Sequence, residues 1–291
     1  MKGRSALDAY SNGKAWWTTA ISDIKKNQIT IRGYPIEELI GELSYSQMLY
    51  LLLCGEVISR RKADLLESVL VAGADHGPRA PSIAAARMAA TCGISFNSCV
   101  ATGMNMLGDV HGGAVEDAMK LFYQTKEWRD EHQSTIQTAV EEQFTLLHRQ
   151  KIKLPGFGHQ LHDDDPRVKR LYQLAQELVE EGEISGIYLS IAQEFRRKLK
   201  EAKNKPITMN IDGVSAAIQC ELGIPAEAAK GIFALSRGMG IVAHAFEELM
   251  NGVLIKGPCP DQDNLVQYNG ASLRHLVKGG ETDECKSGTV Y

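Results

Sequence analysis

Two hydrophobic periods divide the chain. Residues 16–33 alternate, with Thr19, Ile21, Ile24, Ile29 and Ile31 placing β-branched side chains around the polar stretch Lys25-Lys26-Asn27, a pattern that predicts a short β-hairpin. From Pro35 onward the spacing changes to three and four. Ile36, Leu39, Ile40 and Leu43, followed by Met48, Leu49, Leu51, Leu52 and Leu53, read as helix up to Gly55. The same period predicts helices over 61–74, 81–92, 97–108, 113–124, 130–149, 166–181, 184–200, 213–222 and 226–251, each bounded by Gly, Pro or a capping residue. The expectation is an all-α fold with one short N-terminal β-hairpin. No internal repeat or low-complexity linker is visible, and the basic run from Arg196 to Lys205 reads as a solvated helix end.

Composition narrows the partners. With 291 residues, 44% of them hydrophobic and 23% charged, the chain is long enough for two domains with substantial cores. A net charge of -4, with no basic stripe interleaved with aromatics, argues against a nucleic-acid partner. The first residues, Met1 to Asp8, lack the apolar core of a signal peptide, and no apolar run approaches the ~20 residues that span a bilayer. A cytoplasmic protein with no membrane partner is expected. The six cysteines are scattered without a CxxC pair and read as buried or idle thiols.

The candidate chemistry lies in four loops that precede helices, each pairing an ionisable residue with a glycine: Ala74-Asp-His-Gly77, Asp109-Val-His-Gly-Gly-Ala114, Gly156-Phe-Gly-His159 and Asn210-Ile-Asp-Gly213. Unpaired N–H groups and the positive dipole end at a helix N-terminus attract carboxylates and developing oxyanions, and bias a nearby imidazole toward its neutral form. A neutral imidazole can donate a hydrogen bond to a carbonyl becoming an enolate, while a carboxylate moves the α-proton. Structural readings stand beside each of these. Asp212 is a good N-cap by itself, His111 can cap the helix from Ala114, and Gly156 and Gly158 suit an ordinary tight turn as well as close approach by a ligand. Together the four weigh more, because caps do not require His and three of these loops use it.

His159 and His162, with Asp163, Asp164 and Asp165, also imitate a metal site. No second ligand cluster accompanies them, and no metal is expected. The three aspartates read as solvated capping residues before Pro166.

These motifs resemble the citrate synthase superfamily, in the right order and over most of the chain. His111 in Gly-Asp-Val-His-Gly-Gly-Ala, His159 in Pro-Gly-Phe-Gly-His before Asp165-Pro-Arg167, and Asp212 in Asn-Ile-Asp-Gly look like its His, His, Asp set. Ile31-Arg-Gly-Tyr-Pro-Ile-Glu-Glu-Leu, Ala74-Asp-His-Gly-Pro78 and Leu235-Ser-Arg-Gly-Met-Gly-Ile-Val-Ala-His244 extend the match. Within the superfamily the chain looks most like the citryl-CoA lyase branch, which is similar to the C-terminal part of ATP-citrate lyase.

The resemblance implies a two-domain helical fold, with residues 113–220 as a small domain closing over a large one made of 1–112 and 221–291, and a homodimer or larger homo-oligomer. It implies catalytic roles for His111, His159 and Asp212, contacts from His76, Arg167 and Arg237 to substrate carboxylates, and coenzyme A, carried as the acyl thioester, along Gly156, Phe157 and Gly158. The implied reaction is cleavage of citryl-CoA or a relative such as citramalyl-CoA to acetyl-CoA and a 2-oxo acid such as oxaloacetate. The alternatives are a citrate synthase and a non-catalytic partner in a split ATP-citrate lyase system.

Three departures are visible. The loop from His159 to Arg167 is one residue shorter than in many synthases, and Gln160 stands where several have Arg. Lys256 stands in the region where many carry a C-terminal arginine, and a lone ammonium does not reproduce a bidentate clamp.

Overall fold

The computed structural model describes residues 15–158, 165–203, 207–260, 262 and 265–275. Strands β1 (Ser22–Lys25) and β2 (Gln28–Ile31) pair antiparallel, with Ser22 opposite Ile31 and Lys25 opposite Gln28. The two-residue turn between them puts Asn27 at φ 59°, the conformation that tight hairpins need. Arg32 and Gly33, both at positive φ, then turn the chain into a two-residue strand β3 (Tyr34–Pro35) paired with β2. The expected hairpin is thus a three-stranded sheet.

The apolar run after Pro35 divides into α1 (Ile36–Leu39) and α2 (Tyr45–Cys54). Gly41 at φ 88° breaks it, and a capping box between Ser44 and Gln47 starts the second helix. The remaining helices are α3 (Arg60–Gly73), α4 (Pro81–Thr91), α5 (Phe96–Asn105), α6 (Ala114–Glu131), α7 (Ile136–Arg149), α8 (Pro166–Glu180), α9 (Ile187–Lys203), α10 (Ile211–Glu221) and α11 (Ala229–Asn251). A 3-10 turn, Ala226–Ala228, precedes α11. The expected boundary between 124 and 130 moves to 132–135. There Gln133 takes φ 48° and the Thr135 side chain accepts from Thr138 N, so cap chemistry overrides apolar spacing.

Among the described residues, those up to Ile255 form one compact unit and those from Lys256 onward a second. Two hydrophobic cores lie in the first, again among the described residues. The larger joins Leu66 and Leu70 of α3 to Met119 and Phe122 of α6, Leu171 and Ala175 of α8, Phe195 of α9 and Ile218 of α10; Phe122 and Phe195 stack with ring centroids 6.0 Å apart. This core draws on residues from both sides of position 113. The smaller one packs Ile83 and Ala86 of α4 and Cys99 of α5 against Ile241 and Ala245 of α11. The alanines let these three helices approach closely. On the surface, Arg61 at the start of α3 forks onto Glu181 after α8, and Ser59 donates to Glu183 at 2.9 Å.

Candidate active site

Helix α11 carries the first part of the site. Arg237 is 4% exposed, and its Nε donates to the Gly73 carbonyl at 3.0 Å. Its guanidinium lies 5.2 Å from the centroid of the Phe233 ring. Close backbone approach explains two glycines here: a Cβ on Gly73 would stand 2.6 Å from Ser236 Oγ, and one on Gly240 would stand 2.3 Å from the Ala74 carbonyl oxygen. The turn after α3, which carries His76, is therefore seated directly on α11. His76 itself is partly buried.

His111 stands in the turn between α5 and α6. Gly108 N donates to the His111 carbonyl at 3.0 Å, and Lys230 of α11 pairs with Asp109 and Glu116 on either side of the turn. His111 Nε2 faces the N-terminus of α4, 3.4 Å from Ser82 N and 3.0 Å from Ser82 Oγ. A backbone N–H can only donate, so Nε2 accepts and the proton of the neutral ring sits on Nδ1. Burial, and then the charge of Arg237, hold the imidazole below its ordinary pKa. His111 is not a helix cap: Gly113 occupies the N-cap position of α6.

The third part is a backbone pairing of two loops. Phe157 bridges Met209, Gly158 N donates to Thr208 O at 2.7 Å, and Asn210 N donates to Gly156 O at 3.0 Å. Asn210 Nδ2 donates to Gly158 O at 2.9 Å, while its Oδ1 accepts from Asp212 N and Gly213 N. Asn210, not Asp212, is thus the N-cap of α10, which leaves the Asp212 carboxyl free for other work in the first turn. Gly156 has φ 82°, and a Cβ there would stand 2.6 Å from Gly213 Cα. Both glycines are therefore structural in the first instance. His159 to Asp164, including His162, lie outside the described residues.

Electrostatics tie these parts together. Burial pushes the Asp212 carboxyl above the usual carboxylate range, and the opposing charges of Arg167 and Arg237 do not cancel it. Burial likewise lowers the Arg237 guanidinium, which feels Asp75, Arg167 and Asp212. One charge field thus embraces His111, Asp75, Arg167, Asp212 and Arg237. Arg167, at the start of α8, is held by a bidentate pair to Asp165, with Nε to Oδ1 at 2.9 Å and Nη2 to Oδ2 at 2.7 Å.

The expectation of a solvated Asp165 is corrected. It caps α8 as foreseen, yet it is fully buried, with both oxygens paired to Arg167 to offset the desolvation. One edge of the Arg167 fork, Nε and Nη2, is spent on that pair. Ser82 was missed as the partner of His111; its place just after Pro81 at a helix start was the available signal. Lys256 is exposed and begins the second unit.

Comparison with known proteins bears on the family and the fold. The citrate synthase C-terminal domain family matches residues 56–257. The citrate synthase of Saccharolobus solfataricus is 31% identical over 184 residues, 62% of this chain and 47% of that protein, and the chain spans about half the length of the citrate synthases it matches. The structure of citryl-CoA lyase from Hydrogenobacter thermophilus superposes with a TM-score of 0.78 at 35% identity, covering 89% of this chain and 97% of that one. ATP citrate lyase from Methanothrix soehngenii, solved with citrate and coenzyme A, shares the fold at 21% identity and a TM-score of 0.73, covering 93% of this chain and 45% of that one. Matched over most of its length, the chain belongs to the citrate synthase family.

Proposed function

We propose that the chain is a carbon–carbon lyase that cleaves citryl-CoA, or a close relative such as citramalyl-CoA, to acetyl-CoA and a 2-oxo acid such as oxaloacetate. The observation that carries this reading is the likeness to a citryl-CoA lyase over 97% of that protein's length at 35% identity. In this reading Arg237, Arg167 and His76 face the carboxylates of the oxaloacetate moiety, where a guanidinium fork suits a carboxylate. His159 takes the proton of the tertiary hydroxyl and the carbon–carbon bond breaks. The hydroxyl carbon becomes the ketone, and the bonding pair passes to the enolate of acetyl-CoA. His111 donates from Nδ1 to the enolate oxygen. Asp212, whose raised pKa favours the protonated form, delivers its proton to the methylene carbon. The backbone of Gly156, Phe157 and Gly158 flanks the thioester arm. In the same proposal residues 113–220 form a lobe that closes on the rest of the first unit.

A citrate synthase is the second reading, favoured by the synthases among its sequence relatives. The two differ in thioester hydrolysis. Incubated with citryl-CoA, the chain is expected to produce oxaloacetate, measured by coupled NADH oxidation with malate dehydrogenase, and to release little free CoA from acetyl-CoA plus oxaloacetate. Thiol release as fast as cleavage would transfer the assignment to the synthase. Inactivity on citryl-, citramalyl- and malyl-CoA alike would remove the lyase reading.

The same proposal includes a homodimer. Leu235, Met239, Val242, Phe246 and Leu249 form an exposed apolar stripe on α11 at alternating spacings of four and three, the repeat that packs one helix along another. A Phe246→Glu variant is expected to halve the mass measured by light scattering. An unchanged mass would place the contact elsewhere.

A further inference from the structure

The turn that carries His76 is held by side chains that none of these steps uses. On α11, four residues beyond Gly240, His244 Nε2 lies 3.3 Å from Asp75 Oδ2 and Nδ1 lies 2.9 Å from Arg87 Nη1. A guanidinium has no acceptor, so Nδ1 accepts from Arg87 and the ring proton sits on Nε2, donated to Asp75. Arg87 is fixed in turn by ion pairs with Glu247 and Glu248, the latter 2% exposed. Burial raises the Asp75 carboxyl, but His244, and then the backbone N–H groups of Gly77 and His76, hold it below the usual range. Gly77 at φ 69° continues the turn in a conformation that few other residues adopt.

We propose that His244 is a positioning residue: oriented by Arg87, it sets the Asp75 carboxylate, which fixes the backbone at His76 and Gly77 and so aims the His76 ring. Its effect on substrate rests on the lyase reading, in which His76 faces a carboxylate. The linkage acts through geometry, since a neutral imidazole and a half-exposed carboxylate make no strong ion pair.

Two readouts test it. In His244→Ala, amide hydrogen exchange at 75–77 is expected to accelerate at least about tenfold, and KM for citryl-CoA to rise about tenfold with kcat within about threefold. His244→Gln, whose amide can accept from Arg87 and donate to Asp75, restores both. If His244→Ala does not fold, Asp75→Ala is measured instead and gives the same exchange signature. Unchanged exchange in these variants overturns the proposal whatever the activity. Faster exchange with an unchanged KM overturns the link to His76. Faster exchange in the variants of a protein whose native form cleaves no acyl-CoA supports the positioning and overturns only the proposed reaction.

Discussion

Replacing Asp212 by asparagine is expected to lower turnover by about 100- to 10,000-fold, the range of a lost general acid or base, while raising the thermal midpoint at neutral pH. The two effects share one cause. Burial raises the Asp212 pKa in the folded chain, so the fold binds this proton more tightly than the unfolded chain does. The group therefore lowers stability as pH climbs from the ordinary carboxylate range through the raised pKa, and the full cost is present above it. Asparagine carries no charge to desolvate. The variant should gain nothing in acid below the ordinary range and progressively more as pH rises above it, which thermal melts across pH would record. Loss of solvent deuterium exchange into acetyl-CoA would confirm Asp212 as the group that moves the proton; retained exchange would reject that role. A midpoint that falls at neutral pH would contradict the desolvation argument.

The second large effect is expected at Arg237. Lysine keeps the charge but cannot donate to the Gly73 carbonyl and a substrate carboxylate in one plane. A charge-assisted bond lost in a buried site costs about 1.5–3 kcal/mol, so the 2-oxo acid should bind Arg237→Lys roughly 10- to 100-fold more weakly by calorimetry. An unchanged affinity with a lowered melting point would reduce Arg237 to a structural role at the junction of α3 and α11.

How much of this was legible in the chain varies with the range of the interaction. Helix α8 begins at Pro166 as its spacing and the Asp-Pro start foretold, because a proline at the first turn is a local constraint. The second apolar run closes at Gly55 for a similar local reason. The boundary between α6 and α7 was misplaced, since the apolar pattern continues across residues whose caps stop the helix. At the site, His111 and Asp212 stood out by motif, and the doubt was whether each merely capped a helix. The fold assigns both caps to neighbours, Gly113 and Asn210.

The sequence by itself determined the helical class, the small β element at the N-terminus and the loops proposed to carry the chemistry, all of which depend on neighbours within a turn or two of helix. Only the tertiary structure decided which atom of His111 carries the proton, that Asp165 is buried against Arg167, that Gly156 and Gly213 are glycines because their backbones touch, and that His244 reaches back to Asp75. Each of these joins side chains or backbones through desolvation and steric contact, quantities that exist only after distant segments have packed together.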